Sequence, residues 1–239
     1  MPTTATDLAF EACIACPIRH RAVCAACEGE ALERLAAMKS YRSFAGGQTI
    51  VLEGEALPFV GSVLTGCAAL TRSLEDGRVQ MVGLLLPSDF IGRPGRAVAP
   101  YEVQAVGDVT LCLFDRPAFE ALLADVPQVA RRLLAMCLDE LDAARDWMLL
   151  LGRKTARERV ATFLAQVLRR AATGERPLRA ELPLTREAMA SYLGLTIETV
   201  SRQIGALRRD GLIALEGTRT LLCDDLDALL AEAGGGEAA

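Results

Sequence analysis

Four cysteines fall within 15 residues near the start of this 239-residue chain, as Cys13-x2-Cys16-x7-Cys24-x2-Cys27, with Arg19, His20 and Arg21 between the pairs. The segment shows little helical or strand periodicity, so packing alone does not explain its thiols. Exposed free thiols are an oxidation liability, whereas a metal held by thiolates turns such a segment into a fold. Soft thiolates suit zinc or an iron–sulfur group. The gap of 7 residues is shorter than the roughly 12 to 20 of common zinc modules, and the residues alone leave zinc, iron–sulfur and a disulfide staple open. A further cysteine, Cys112, lies far downstream in Val109-Thr-Leu-Cys-Leu-Phe-Asp. Cys67, Cys137 and Cys223 stand singly in apolar settings and read as small hydrophobes.

A second group of residues suits base recognition. Thr196 is an N-cap candidate, and Ile197, Val200, Ile204 and Leu207 form one helical stripe, predicting a helix from Ile197 to about Arg209. Glu198, Ser201 and Arg202 fall together on the opposite face near its N-terminus. A shorter helix is expected over 185–193, with Gly194 in the tight turn between the two. Such a helix-turn-helix enters the DNA major groove with the N-terminal residues of its second helix against base edges. Arg can bond G at O6 and N7 together, and a Glu carboxylate accepts from the C amino group. A solvated helix with an i,i+4 Glu–Arg pair would also carry those charges, but would leave the two-helix frame unexplained.

The charge distribution agrees. The whole chain has net charge −5, yet residues 153–222 carry 13 Lys/Arg against 7 Asp/Glu, leaving −11 on the remainder. A basic module joined to an acidic one fits a DNA reader whose other half does not adhere to DNA. A single His, no nucleophile–base constellation and no dinucleotide fingerprint argue against an enzyme. No apolar run approaches a membrane span, and the start lacks a signal-peptide pattern, so a cytoplasmic protein is expected. In a reducing compartment, metal ligation or burial explains the 8 cysteines better than disulfides do.

The elements that must position these residues follow in order. Residues 29–39 predict a short amphipathic helix carrying Leu32, Leu35 and Met38. From Gln48 to Asp115, short apolar runs over 49–52, 60–64 and 79–86 alternate with Gly46-Gly47, Glu53-Gly54, Asp76-Gly77 and Pro87. Asp76-Gly77 is a hairpin signal, and the even spacing predicts a compact antiparallel barrel or roll. A short helix over 116–124 precedes Pro127, which suits a helical first turn. The long periodic run that follows places Leu134, Cys137, Leu141, Ala144, Met148 and Leu151 at spacings of 3 and 4, an uncharged a/d seam. A monomer's core helix would give a similar stripe; paired helix-turn-helix units about 34 Å apart favour a homodimer. A hinge is expected at 152–154, a helix at 155–170, and a loop with Gly174 and Pro177. After the helix-turn-helix come a hairpin wing around Gly217-Thr218, a last helix over 224–233 and a frayed tail.

Leu193-Gly-Leu-Thr-x-Glu-Thr-Val-Ser-Arg resembles the recognition segment of the CRP/FNR superfamily of bacterial transcription regulators, and Glu-x-x-Ser-Arg is similar to its FNR branch. The arm, with Pro-Ile-Arg-His-Arg-Ala-Val inside Cys-x2-Cys-x7-Cys, resembles the FnrL/FnrN subgroup. The resemblance implies an α+β chain: a cysteine-rich cluster-binding arm (1–30), an antiparallel β-roll sensor of the cyclic-nucleotide-binding kind (31–125), a dimerisation helix (126–152), a winged helix-turn-helix (153–226) and a C-terminal tail (227–239). It also implies an oxygen-labile [4Fe–4S] cluster on Cys13, Cys16, Cys24 and Cys112. Cys24 matches the third arm position better than Cys27, because the offset to Leu32 and Leu35 compensates for the longer gap. The family's phosphate-cradling Arg-Ser pair after a Gly-Glu turn is missing; the corresponding stretch is Phe90-Ile-Gly-Arg-Pro-Gly-Arg-Ala-Val, whose Arg93 and Arg96 read as solvated surface. Where FNR has an acidic side chain near its dimer interface, this chain has Ala144, which implies weaker repulsion at the seam.

The expected protein is therefore a dimeric, oxygen-sensing regulator of anaerobic gene expression that meets RNA polymerase. Family likeness implies a TTGAT-N4-ATCAA-type palindrome, with Arg202 on G, Glu198 on the opposing C and Ser201 near a T. The alternative is a regulator of the same type with a zinc-stapled arm, bound without Cys112, and a small-molecule ligand in the roll.

Overall fold

The computed structural model describes residues 12–73, 75–77, 79–171 and 176–235. Expectations for the first residues, Gly174 and the last four residues of the tail lie outside them. The chain divides into two compact units, 1–140 and 141–239.

The first unit is built on eight strands: β1 (Lys39–Phe44), β2 (Thr49–Val51), β3 (Phe59–Thr65), β4 (Ala68–Ser73), β5 (Val79–Leu85), β6 (Phe90–Ile91), β7 (Glu102–Ala105) and β8 (Val109–Asp115). They form two four-stranded antiparallel sheets, β1-β8-β3-β6 and β2-β7-β4-β5. The β4–β5 hairpin turns at Asp76-Gly77, where Gly77 takes φ 86°. Between the sheets, Ile50, Leu57, Val63, Leu85, Val103, Leu111 and Leu113 are buried in one core, so the β-roll forms as expected. β1 is an addition: its mostly exposed side chains give no alternating signal, and it is held by pairing with β8.

Successive side chains on a strand point to opposite faces, and β8 uses both. Val109, Leu111 and Leu113 enter the roll core. Cys112 and Phe114 join a second apolar cluster outside it, with Val23 and Cys27 of the arm, Leu32 and Leu35 of helix α1 (Gly29–Met38), and Phe119 and Leu122 of helix α2 (Arg116–Asp125). Phe119 lies 5.5 Å from Phe114 and 5.7 Å from Phe90 between ring centroids. The Asp115 carboxylate caps α2 by accepting from Ala118 N at 3.0 Å.

Helix α3 (Pro127–Arg153) starts on proline, as the sequence predicts, and runs 27 residues. The division between the two units falls inside it, after Glu140. Of the hinge expected at 152–154, Gly152 and Arg153 continue the helix. The interruption is at Lys154 and Thr155, where Thr155 and Glu158 form a reciprocal capping box for helix α4 (Ala156–Ala171), with Thr155 N donating to Glu158 Oε2 at 2.6 Å and Glu158 N to Thr155 Oγ1 at 3.3 Å.

In the second unit α4 buries Val160, Phe163, Leu164, Val167 and Leu168. Around it lie helices α5 (Arg186–Leu193) and α6 (Ile197–Arg209) and a sheet of order β10-β11-β9, from β9 (Leu178–Glu181), β10 (Ala214–Glu216) and β11 (Thr220–Cys223). The expected wing gains β9 as a third strand. The short helix expected over 224–233 forms. Helix α7 (Leu226–Glu232) buries Leu229, Glu232 pairs with Arg157 at 2.6 Å, and Lys154 Nζ donates to Ala233 O at 2.8 Å.

Candidate metal centre and nucleic-acid interface

Cys13, Cys16, Cys24 and Cys112 line one small cavity in the first unit, closed by Ile18, Ala22, Val23, Leu32, Leu35, Tyr41, Ser62 and Phe114. Two chain segments supply the thiols. The arm wraps through a series of tight turns (Cys16 N to Cys13 O, Arg19 N to Cys16 O, Ala22 N to Ile18 O). Cys112 is delivered by β8 between Tyr41 of β1 and Ser62 of β3, its register partners. Gly61 permits that approach, since a Cβ there would sit 2.2 Å from Cys112 O.

The lining is apolar and the thiols feel it. Burial, reinforced by Cys13, Cys24 and Cys16, pushes the Cys112 thiol up to about 12. Burial, then Cys16 and Cys13, pushes Cys24 to about 11. Thiols held protonated in this way are poor nucleophiles, but a bound metal displaces their protons. Lys39 Nζ donates to Cys13 Sγ at 3.1 Å. Burial opposes its charge, yet hydrogen bonds to Cys13 and Tyr41 leave its pKa raised. Ser62 Oγ, on the same cavity, is buried without a hydrogen-bond partner.

A tetrahedral zinc at about 2.3 Å from each sulfur requires four sulfurs about 3.8 Å apart. Among the described residues no three His, Cys, Asp or Glu side chains converge closely enough to hold one ion. Cys27 is buried in the apolar cluster and does not line the cavity; its carbonyl accepts from Arg19 Nη2 at 2.8 Å. An iron–sulfur cluster spreads its irons over separate corners, one thiolate to each, and four thiols around one apolar cavity with an orphaned hydroxyl suit that group.

The helices expected to present Glu198, Ser201 and Arg202 form. Gly194 ends α5 in the left-handed conformation (φ 61°), and Thr196 caps α6 by accepting from Thr199 N at 3.2 Å. Val200, Ile204 and Leu207 are buried, while Glu198, Ser201 and Arg202 are exposed together. Ile197 does not join the buried stripe; it is 44% exposed, at the first position of α6. The Glu198 carboxyl is held below its usual range by its own backbone N–H and by the Thr196 hydroxyl, so an ionised acceptor sits at the helix N-terminus. Arg202 Nη2 lies 3.4 Å from Thr199 Oγ1. Arg93 and Arg96 of the roll are exposed, as expected of solvated surface.

On α3, Leu134, Cys137, Leu141, Ala144 and Met148 are exposed, Leu134 at 59% and Met148 at 70%, and Leu151 is half-buried. Leu138 and Leu149, absent from the expected seam, add to this apolar surface. Cys137 is therefore not a buried thiol within one chain. Within the second unit, Trp147 stacks on Tyr192 of α5 with ring centroids 4.0 Å apart. Sequence reading missed Lys39, Tyr41 and Ser62, which reach the thiols only through strand pairing.

Residues 41–126 match the cyclic nucleotide-binding domain and residues 158–232 the Crp-like helix-turn-helix domain. The chain is 57% identical over 227 residues to the transcriptional activator protein FnrL of Cereibacter sphaeroides, covering 93% of this chain and 92% of that protein. It is 38% identical over 223 residues to a probable transcriptional activator of Rhizobium leguminosarum bv. viciae, covering 91% of each. The solved structure of FixK2 from Bradyrhizobium japonicum matches with a TM-score of 0.75 at 36% identity, over 84% of this chain and 99% of that one. Among the described residues no helix is long and apolar enough to cross a membrane. With both domain matches and the 57% identity to FnrL over nearly the full length, the chain belongs to the CRP/FNR family of DNA-binding transcription regulators.

Proposed function

We propose that this regulator is a homodimeric, cytoplasmic transcription activator whose DNA binding responds to oxygen through a [4Fe–4S] cluster on Cys13, Cys16, Cys24 and Cys112. The observation that carries the reading is the convergence of three arm thiols and one strand thiol on a single apolar cavity. When bound, such a cluster supplies oxygen-labile redox chemistry. The chain's own residues do the rest. The three arm cysteines fasten the arm, Cys112 joins it to β8, and Lys39 places positive charge beside Cys13. The apolar lining excludes water. The cluster of Val23, Leu32, Phe119 and Val129 carries arm packing to the start of α3, and the exposed stripe of α3 pairs with a second copy.

Pairing sets two α6 helices on one duplex. Arg202 donates to G, Glu198 accepts from the opposing C and Ser201 lies near a T, in a TTGAT-N4-ATCAA-type palindrome. Activation implies contact with RNA polymerase, and the names of FnrL and its relatives as activators support that direction. The test is an iron and acid-labile sulfide assay on protein purified without air, beside Cys112→Ala. Wild type should carry cluster iron and bind the palindrome only before air exposure. The variant should fold, lose iron and lose the air-dependent difference. Colourless, iron-free wild type would sink the reading.

A further inference from the structure

The first half of α3 has two working faces. Val129, Leu133 and Met136 pack into the apolar cluster that holds Val23 and Cys27 of the arm, and Arg132 falls on the same stripe. Leu134, Cys137, Leu138 and Leu141 are exposed and centre roughly 140° further round the helix at about 100° per residue. From the first face Arg132 reaches the arm backbone, donating from Nη2 to Arg21 O and from Nε to Ala22 O at 3.4 Å. Both carbonyls belong to the loop between Cys16 and Cys24. The roll holds the same loop from another side, with Ser88 Oγ donating to Ile18 O at 3.5 Å.

We propose that Arg132 is the positioning residue that couples the order of the Cys16–Cys24 loop to the dimer seam. A guanidinium carries several donors in a fixed fork, so it can hold two neighbouring carbonyls only while the loop keeps one shape. A loop anchored by its flanking cysteines offers those carbonyls, and Arg132 then fixes the second turn of α3. Leu134 and Cys137, the first seam residues, lie two and five positions on. The coupling is reciprocal, so pairing of α3 also orders the loop. This rests on the seam and arm roles proposed above, although the clamp itself requires only that the loop be ordered.

The test compares full-length wild type with Arg132→Met, which keeps the aliphatic stem, and Arg132→Lys, which keeps the charge but not the fork. Three quantities are read in air-free protein: iron per chain, the dimer Kd by sedimentation, and amide hydrogen exchange over the arm loop. Arg132→Met should keep its iron, exchange faster in the loop and raise the dimer Kd about tenfold, as expected for losing a charged donor. Its Kd should then change little on air exposure, with Arg132→Lys recovering only part of the wild-type behaviour. Unchanged Kd and exchange in Arg132→Met would overturn the clamp. So would loss of its iron, since Arg132 would then serve the thiol site and not its transmission. An iron-free wild type defeats the cluster reading alone, because loop exchange and Kd still judge the clamp; a wild-type loop as unprotected as the variant's defeats the clamp.

Discussion

Leu141→Ala and Leu150→Ala are the same chemical change nine residues apart on one helix, and they should have opposite consequences. Leu141 is 46% exposed in the single chain and Leu150 only 2%. Fully burying a Leu side chain is worth about 1.5–3 kcal/mol, so covering the exposed half of Leu141 recovers about 1 kcal/mol. In a two-fold dimer that contact occurs twice. Leu141→Ala should therefore weaken pairing by about 2 kcal/mol, about 30-fold in Kd, with little effect on unfolding of the isolated chain. Leu150→Ala leaves a cavity and should cost about 2–5 kcal/mol of folding stability. Sedimentation across a concentration series without air gives the Kd, and urea unfolding at a single low concentration gives the stability. If Leu141→Ala unfolds as easily as Leu150→Ala while its Kd stays at the wild-type value, the exposed stripe is not a dimer seam.

Arg202→Ala should cost about 1–3 kcal/mol of palindrome binding and relax preference at one base pair; a gel-shift series over all four bases there, showing uniform loss, would assign Arg202 to phosphate instead. Gly61→Ala should force β3 and β8 apart beside Cys112, at a cost of about 1–3 kcal/mol, and should lower iron per chain measured without air. Arg159 donates to Leu151 O at 2.7 Å, and to Lys154 O and Leu193 O at 3.0 Å. Arg159→Ala should therefore destabilise the second unit by about 3 kcal/mol in urea unfolding, and Arg159→Lys should restore only part of it. In iron-free reduced protein, burial holds Cys24 at about 11 and Cys112 at about 12, against an ordinary 9.0. Because an unfolded chain ionises these thiols first, the stability they contribute is present below pH 9.0 and lost as pH rises toward 11 and 12. The melting temperature should fall less between about pH 8 and about pH 10 in Cys112→Ala than in wild type, and equal falls would contradict the assignment.

The two sites differ in how readily a one-dimensional reading reaches them. The DNA-reading helices announce themselves because their determinants are local: Thr185 and Thr196 cap, Gly194 supplies the left-handed turn, and Val200, Ile204 and Leu207 repeat at helical spacing. Ile197 fits the same spacing and is still exposed, since periodicity marks a helix face but not what packs on it. The arm cysteines are visible by count and spacing, but what surrounds them is not. Lys39 and Tyr41 lie on β1, whose Lys-Ser-Tyr-Arg-Ser-Phe run is mostly exposed and carries no alternation. β9 is equally quiet, with Ala180 its one buried side chain. Ser62, Ser88 and Arg132 matter only through pairings 50 or more residues away, such as Ser62 opposite Cys112 and Arg132 against Arg21. Strand register and tertiary contact carry that information.

One strand ties these features together. Were β8 shifted by a single residue, Leu111 and Leu113 would leave the roll core and Cys112 would enter it, because side chains on a strand change face at every step. The apolar demand of the roll thus pins the register that presents Cys112 to the arm, and the site needs no separate device to aim its fourth thiol. The same strand ends at Asp115, which caps α2, and α2 leads within two residues into α3. A displacement of the arm against Cys112 therefore acts on a short, well-packed segment, Phe114, Phe119, Leu122 and Val129, before reaching the exposed stripe. Close-packed side chains pass such strain on instead of absorbing it. On the proposed reading, the face of β8 opposite the roll core, more than the roll interior, is where arm and pairing helix are linked.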